Sequence, residues 1–149
     1  MMEVVMKLIK VLVAAVFLLA AGVAVAGKGG PIASGYWEGS GQAVYPDGTI
    51  AEITLVEALL LQDGNFIYGG AEFMVIIGDN EPVSQEGQLS GHISGNAITG
   101  VMGGCFAEAP NCIGVGIFEG KLSGNKLKGT IVDLSDGSTS VITLHRLAR

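Results

Sequence analysis

A short repeat built on a Gly-Asn pair constrains the fold of this chain more than any other sequence feature. The pattern Gly-Asn-x-Ile/Leu-x-Gly begins at Gly64, Gly95 and Gly124. A Gly-Asn pair tolerates the positive φ angles of a two-residue hairpin loop, and the residues after each pair read as the start of a strand. The repeat therefore predicts three tight hairpins in a meander of antiparallel strands. It indicates no reaction chemistry.

Turn signals recur at short intervals among many Val, Ile and Thr residues, which is typical of an all-β chain. We predict eight strands, at about 36–45, 50–62, 66–77, 86–93, 97–103, 113–122, 126–134 and 139–147. Eight antiparallel strands can close into a barrel, which removes exposed sheet edges. The predicted fold is therefore an all-β, eight-stranded antiparallel up-and-down β-barrel that follows an N-terminal signal segment.

The first 26 residues have the composition of an export signal. Lys7 and Lys10 precede an apolar run over 11–21, and Ala24-Val25-Ala26 has the small-x-small pattern of a cleavage site. We predict a signal peptide over residues 1–26, a barrel domain over 27–149, and export to the periplasm or the cell exterior. The alternative is an uncleaved membrane anchor, for which the 16 residues 11–26 are short against the roughly 20 that span a bilayer.

The charge and the cysteines exclude some classes of function. The chain has 8 basic and 14 acidic side chains, and removal of Lys7, Lys10 and Glu3 with the signal leaves a net charge of −7. This charge argues against a nucleic-acid partner, since phosphates require basic patches. Cys105 and Cys112 are the only cysteines, and an oxidising compartment favours a disulfide between them. Two cysteines without a nearby histidine make a poor zinc site, so no metal is predicted.

Successive turns of a meander alternate between the two ends of a barrel. All three Gly-Asn hairpins then lie at one end, here called the base. The longer connections, the cysteine pair and the two Asp-Gly turns (Asp47-Gly48 and Asp136-Gly137) lie at the other end, the mouth. Loops on a rigid scaffold are where binding usually occurs, so the mouth is the expected binding end.

Residues that pair across a hairpin share a face, which predicts the side chains that point inward near the mouth. The polar side chains predicted to point inward there are Tyr45, which lies beside Glu52, and Asp133, which lies beside Ser140. The apolar wall comprises Phe73, Val75, Met102 and Phe118. Carboxylates in a partly enclosed mouth can have perturbed pKa values and bind polar groups; the alternative is a solvated rim. The inward glycines 39, 41, 69, 91, 100 and 129 either open a cavity or permit a narrow, strongly coiled barrel.

The same pairing turns many apolar side chains outward. They are Ile53, Leu55, Leu59, Leu61, Phe66, Met74, Ile76, Ile113, Val115 and Ile117. A soluble monomer rarely exposes so much apolar surface. Either a bulge shifts the register or a second copy covers this face, which makes a homo-oligomer one of the expected assemblies.

Trp37 begins the first strand and Arg146 ends the last, and barrel closure would bring them together at the base, where an arginine stacked on a tryptophan can form a plug. The alternative is that Trp37 is simply a core residue and Arg146 belongs to a solvated tail. With Gly35-x-Trp37 at one end and Arg146 at the other, the chain resembles the calycin group of barrels, the lipocalins and their relatives, including the avidins. The resemblance implies an arginine packed across the tryptophan at the closed end. No helical pattern follows the last strand, so an avidin-like or other small barrel is an equal candidate.

The expected function is an exported binding module for a small, partly apolar molecule. One alternative is a structural or oligomerising secreted protein that uses its outer apolar strands. A second is a barrel-type isomerase or cyclase with Glu52 or Asp133 as the acid–base group. His92 and His145 fall on the outward face, so no catalytic residue and no cofactor are predicted. A membrane is an expected partner only if the signal segment is retained.

Overall fold

The computed structural model of the protein describes residues 33–106 and 115–148, which form eight antiparallel strands. These are β1 (Gly35–Val44), β2 (Ile50–Asp63), β3 (Phe66–Ile77), β4 (Val83–Ser94), β5 (Ala97–Phe106), β6 (Val115–Ser123), β7 (Lys126–Asp133) and β8 (Thr139–Arg146). Each strand pairs with its neighbours in sequence, and β1 pairs with β8, so the sheet closes. The predicted all-β fold and eight-stranded barrel are confirmed.

The predicted signal peptide over residues 1–26 lies outside the described residues. Within residues 33–106 and 115–148 we find no helix with the length and apolar character needed to cross a membrane.

The three Gly-Asn pairs form two-residue loops at the base. The φ angles of Gly64, Gly95 and Gly124 are 57°, 61° and 59°, whereas no described residue other than glycine has a positive φ. A positive φ at only the first loop position is the pattern of a type II′ turn, whose twist matches that of the flanking strands. The glycine alone therefore uses the left-handed region, and the asparagine does not.

Each Gly-Asn turn is also bonded to a neighbouring strand around the base. Three bonds of 2.8 Å run from the amides of Ile93, Leu122 and Arg146 to the carbonyl oxygens of Asn65, Asn96 and Asn125 respectively. The first two bonds connect consecutive base hairpins, and the third connects the β6–β7 hairpin to β8. The repeat consequently builds a partial ring of linked turns rather than three separate loops.

Large aliphatic side chains fill the interior next to this ring. Seven of them are buried, namely Leu60, Ile67, Ile93, Ile98, Leu122, Leu127 and Leu144. Ile93 pairs with Ile98, and Leu122 pairs with Leu127, as the two-residue loops predict. The base half of the barrel is therefore a packed core.

Inward glycines in the middle of the barrel allow close approach between neighbouring strands. A Cβ atom on Gly39 would collide with the carbonyl oxygen of Thr143, and one on Gly100 would lie 2.6 Å from the carbonyl oxygen of Ser90. A Cβ atom on Gly120 would lie 2.8 Å from the Phe118 ring. Such distances leave no room for a side chain. Of the two predicted roles, these glycines therefore permit a narrow, strongly coiled barrel.

The β1–β2 connection is longer than the sequence pattern predicts. Val44, rather than Tyr45, pairs with Ile50. The Tyr45 amide donates a 2.9 Å hydrogen bond to the Thr49 carbonyl oxygen, so Tyr45 belongs to the connection. As a result, the inward and outward positions at the start of β2 shift by one residue.

This shift corrects two predicted orientations. Glu52 pairs with Gln42 and is exposed, whereas Ile53 is buried. The predictions that Glu52 points inward and that Ile53 points outward are therefore wrong. Thr54 has no ladder partner on either side, which is a β-bulge. The bulge restores the predicted alternation, and Val56 is again buried.

Candidate functional site

The base is closed around Trp37 and Arg146. The Trp37 side chain is 1% exposed, and its Nε1 donates a 2.9 Å hydrogen bond to the Ala33 carbonyl oxygen. Arg146 Nη1 donates a 2.6 Å hydrogen bond to the Ser34 carbonyl oxygen, and its guanidinium carbon lies 4.6 Å from the centroid of the Trp37 ring. Burial lowers the pKa of Arg146, yet a guanidinium keeps its charge. The structure thus brings together the two residues that the sequence placed at the base.

The segment before β1 is tied to the end of β2. The Ala33 amide donates to Gln62 Oε1 at 2.8 Å, and the Gln62 amide donates to Ser34 Oγ at 2.9 Å. Gln62 Nε2 also donates to the Gly64 carbonyl oxygen at 2.9 Å. Ala33 is fully buried. The chain therefore enters the barrel at the base and packs across it.

The mouth half has a different lining. Its buried apolar side chains include Phe73, Val75 and Phe118 as well as Ala43, Ala51 and Ile53, and the half-buried Met102 and Ile131 pack against this core. These residues include the whole predicted apolar wall. The structure therefore places all four predicted wall residues inside the barrel.

Polar side chains lie above this wall. Tyr45, Asp133 and Ser140 are half-buried on the inward face. Ser140 pairs with Ile131, and the Asp133 amide donates a 2.9 Å hydrogen bond to the Ser138 carbonyl oxygen. The predicted pairing of Asp133 with Ser140 is therefore wrong in register by two residues. Both side chains keep the predicted inward orientation because a shift of two preserves the face.

The carboxylates of the β7–β8 turn are held by local hydrogen bonds. Asp133 Oδ1 accepts from the Ser135 amide at 2.7 Å and from Ser135 Oγ at 2.5 Å. Asp136 Oδ1 accepts from the Ser138 amide at 2.8 Å. In each of these Asx turns the aspartate oxygen accepts from the backbone amide two residues later, and this bond fixes the orientation of Asp133 and Asp136 at the mouth.

Tyr45 lies close enough to these acids to respond to their charge. Its partial burial, followed by the negative charges of Asp136 and Asp133, raises the pKa of Tyr45 above its ordinary value of 10.0. Its hydroxyl therefore stays protonated at neutral pH and can donate a hydrogen bond. The mouth thus offers one phenol donor, two carboxylate acceptors and two serine hydroxyls.

Ser138 belongs to this group but was not predicted from the sequence. It is 6% exposed, the one buried polar side chain among the described residues. It lies two residues before Ser140 and four before the inward Ile142. The alternation along β8 would have identified it had the strand been extended into the turn.

Other predicted features fall elsewhere. Glu52, predicted at the mouth, lies on the outer face, which removes one of the two proposed acid–base residues. Cys112 and the side chain of Cys105 lie outside the described residues, so the disulfide stays a prediction. His92 and His145 are exposed on the outer face, as predicted. Within the described part of the chain, no three metal-ligating side chains come together.

The outer face carries a shallow groove of about 450 Å³ near β3–β6. Phe66, His92, Val101, Ile117 and Glu119 line it together with Ser90, Gly91, Thr99 and Gly100. The rings of Phe66 and His92 meet edge to face with centroids 5.5 Å apart. Exposed apolar side chains continue beyond the groove, so part of the predicted outer apolar face is present.

Comparison with known proteins places the chain in no family. No family model matches it, and no curated protein matches it. A crystal structure of Rv2717c from M. tuberculosis is similar, with 17% identity and a TM-score of 0.49, over 77% of this chain and 92% of that one. The isotype 1 transferrin binding protein B from serogroup B Neisseria meningitidis is also similar, with 14% identity and a TM-score of 0.41, over 83% of this chain and 27% of that one. The closed eight-stranded topology fits a calycin-like barrel.

Proposed function

We propose that this protein is an exported binding module that holds a small, partly apolar molecule in the mouth half of its barrel. The observation that supports this most is the difference between the two ends. At the base, Trp37 donates a hydrogen bond to the Ala33 carbonyl oxygen, and aliphatic side chains fill the interior. The mouth has half-buried polar groups above an apolar wall.

The ligand would place its apolar part against Phe73, Met102 and Phe118. Its polar part would reach Tyr45, Asp133 or Ser140 at the rim. Ligand sites are commonly lined by apolar and aromatic side chains with a few placed polar groups. This combination supports binding without requiring any reacting group.

The finer features of the proposal come from the sequence. Residues 1–26 would direct export, and an oxidising compartment would allow Cys105 and Cys112 to pin the β5–β6 connection at the mouth. The Gly35-x-Trp37 and Arg146 pattern supports a lipocalin-like or avidin-like barrel. A membrane would be a partner only if the N-terminal segment were retained.

Native mass spectrometry of the protein purified from its source tests the proposal. We expect a small-molecule adduct that is lost on denaturation. Ser140→Phe would narrow the mouth and should weaken binding of that molecule at least about tenfold, the scale of a lost apolar contact. Ser123→Phe, which places the same ring on the exposed outer face, is the control. A folded Ser140→Phe variant that binds as well as the parent would contradict the proposal.

A second candidate function is self-association through the outer apolar face. Val101, Ile117 and Val132 pair directly across β5–β7, and their exposed fractions are 52%, 44% and 37%. Contiguous exposed apolar surface commonly marks an interaction site. Sedimentation velocity over a range of concentrations tests this candidate. Ile117→Ser should shift an oligomer towards monomer, whereas Val141→Ser, on β8, should not. A parent protein that stays monomeric at all concentrations would exclude self-association.

A further inference from the structure

We infer that Gln85 determines which ligands the mouth accepts, and that the polar part of such a ligand is a neutral amide or lactam group. The inference rests on the proposed function, because it names a specificity-determining residue and a ligand class for the same site. It comes from the direction of the Gln85 side chain, from the apolar wall around it and from the hydrogen-bonding groups of its amide.

Gln85 lies inside a strand, although the sequence pattern places it before one. The predicted fourth strand begins at about residue 86, whereas β4 begins at Val83. Gln85 pairs across β3–β4 with Phe73, which is buried. Gly87 and Leu89, two and four residues later, are also buried. Because alternate residues of a strand share a face, the Gln85 side chain points into the barrel.

A hydrogen bond on the outer face holds the start of β4 in this register. Ser84 Oγ donates to Glu72 Oε1 at 2.9 Å, and the two residues lie on adjacent strands. Both share the outer face with Glu86, which pairs with Glu72 and is exposed. Since successive residues point to opposite faces, a Ser84 side chain held outside keeps Gln85 inside.

Gln85 interrupts an otherwise apolar wall. Among the described side chains of β3, β4, β5 and β6, it is the one polar group that points inward, and the other inward positions are glycine or apolar. Phe73 lies directly beside it. Gly87, the next inward residue towards the base, has no side chain, and a Cβ atom there would lie 3.4 Å from the Met102 Cε atom. The amide therefore adjoins the apolar surface formed by Phe73 and Met102, against which the ligand would lie.

The chemistry of the Gln85 side chain selects a neutral polar group. The side chain is half-buried, and no hydrogen bond to its amide is found within the described ranges. A glutamine amide has an acceptor oxygen and two N–H donors. An amide or lactam presents one donor beside one acceptor, so it can pair with both the oxygen and the nitrogen of the side chain. No charged side chain points inward in the described part of β3–β6, so a charged group would lose hydration there without an ion partner.

Three probes with one apolar body test the ligand class. They are 4-phenylbutanamide, 5-phenylpentan-2-one, in which a methyl group replaces the amide nitrogen, and 4-phenylbutyrate, each titrated calorimetrically at pH 7 into protein expressed as the full chain. We expect the amide to bind about fivefold more tightly than the ketone, since one additional hydrogen bond contributes on this scale. The carboxylate should bind more weakly than the amide, because contact with the wall removes hydration from its charge.

Two matched variants assign the preference to Gln85. Gln85→Leu removes the amide from the inner face and should abolish the preference for the amide over the ketone. Gln88→Leu makes the same change on the same strand, but Gln88 is exposed on the outer face, so the preference should remain. Where Gln85→Leu does not fold, as judged by thermal unfolding, Gln85→Met replaces it, because methionine is unbranched and adapts to irregular surroundings.

The outcomes separate the inference from the proposed function. Equal binding of amide and ketone to the parent protein, tighter binding of the carboxylate than of the amide, or a preference that survives the change at Gln85 overturns the inference and leaves the binding module standing. A preference lost in Gln88→Leu would place the amide on the outer face and would also overturn it. Failure of all three probes to bind counts against the proposed function and against the inference with it.

Discussion

Arg146 lies over the ring of Trp37 and is also its partner in the β1–β8 ladder. The same pair of residues therefore joins the two strands that close the barrel and covers the base of its interior. The two residues lie in the first and last strands of the sheet. The same arginine donates to the Ser34 carbonyl oxygen, which ties the chain entering β1 to the chain leaving β8.

Replacing Arg146 with alanine should lower the free energy of unfolding by about 3 kcal/mol, from the lost cation–π contact and a charged hydrogen bond. Arg146→Lys should recover only part of this, because lysine lacks the planar fork. Urea unfolding followed by the fluorescence of Trp37, the single tryptophan, measures both. A loss below about 0.5 kcal/mol for Arg146→Ala, the range of ordinary surface changes, would contradict the role of the pair.

Gly91 and Gly100 face each other across β4 and β5, where a Cβ atom on Gly91 would collide with the Thr99 carbonyl oxygen. Gly91→Ala should therefore destabilise the protein by about 1–3 kcal/mol through overpacking. Gly70→Ala is the control, because its nearest neighbour would be 3.7 Å away. Gly70→Ala should raise the free energy of unfolding by about 0.5 kcal/mol, because alanine reduces the conformational entropy of the unfolded chain. Equal effects in thermal unfolding would argue against the close approach of the strands.

Four glutamates form a continuous ladder on the outer face, since Glu38 pairs with Glu57, Glu57 with Glu72, and Glu72 with Glu86. Like charges directly opposite each other destabilise a sheet. Glu57→Gln should therefore raise the free energy of unfolding by about 0.5 kcal/mol at low salt.

The matched control for this ladder is Glu119→Gln, because Glu119 pairs with Thr99 and Thr130 and has no opposite acid. It should change stability little. The gain from Glu57→Gln should also decrease in high salt. A gain that is the same at both salt concentrations would show that repulsion along the ladder is not its cause.

Tyr45 should titrate above 10.0, since burial and then Asp136 and Asp133 oppose its ionisation. A raised pKa in the folded state means that the group adds stability below pH 10 and loses this contribution as the pH rises through the raised value. Absorbance titration near 295 nm, compared with Tyr45→Phe, would identify its transition. Asp136→Asn should move the transition downwards, and an unchanged midpoint would exclude the influence of that carboxylate.

Local sequence signals predicted those parts of the fold that depend on short loops. Gly95-Asn96 and Gly124-Asn125 form two-residue loops, so the inward pairs next to them followed directly. The closed barrel and the position of the apolar wall, including Phe73 and Phe118, were also predicted. In these elements the spacing of apolar residues and the residue types of the turn predict the same strand register.

The candidate site was predicted only in part, because its geometry depends on turns whose length the sequence does not fix. Tyr45 lies in the β1–β2 connection, which turns Glu52 outward, while Asp133 and Ser140 keep their inward orientation. Ser138 was missed because the predicted last strand began at residue 139, one position after it, although the alternation through Ser140 and Ile142 continues to Ser138.

By itself, the sequence determined the strands, the base hairpins and the two ends of the barrel, because the φ preference of glycine and the alternation of side chains act over a few residues. Only the tertiary structure decided the face of Glu52 and the bulge at Thr54. Each of these depends on register between strands, and register is selected by the packing of the whole closed sheet.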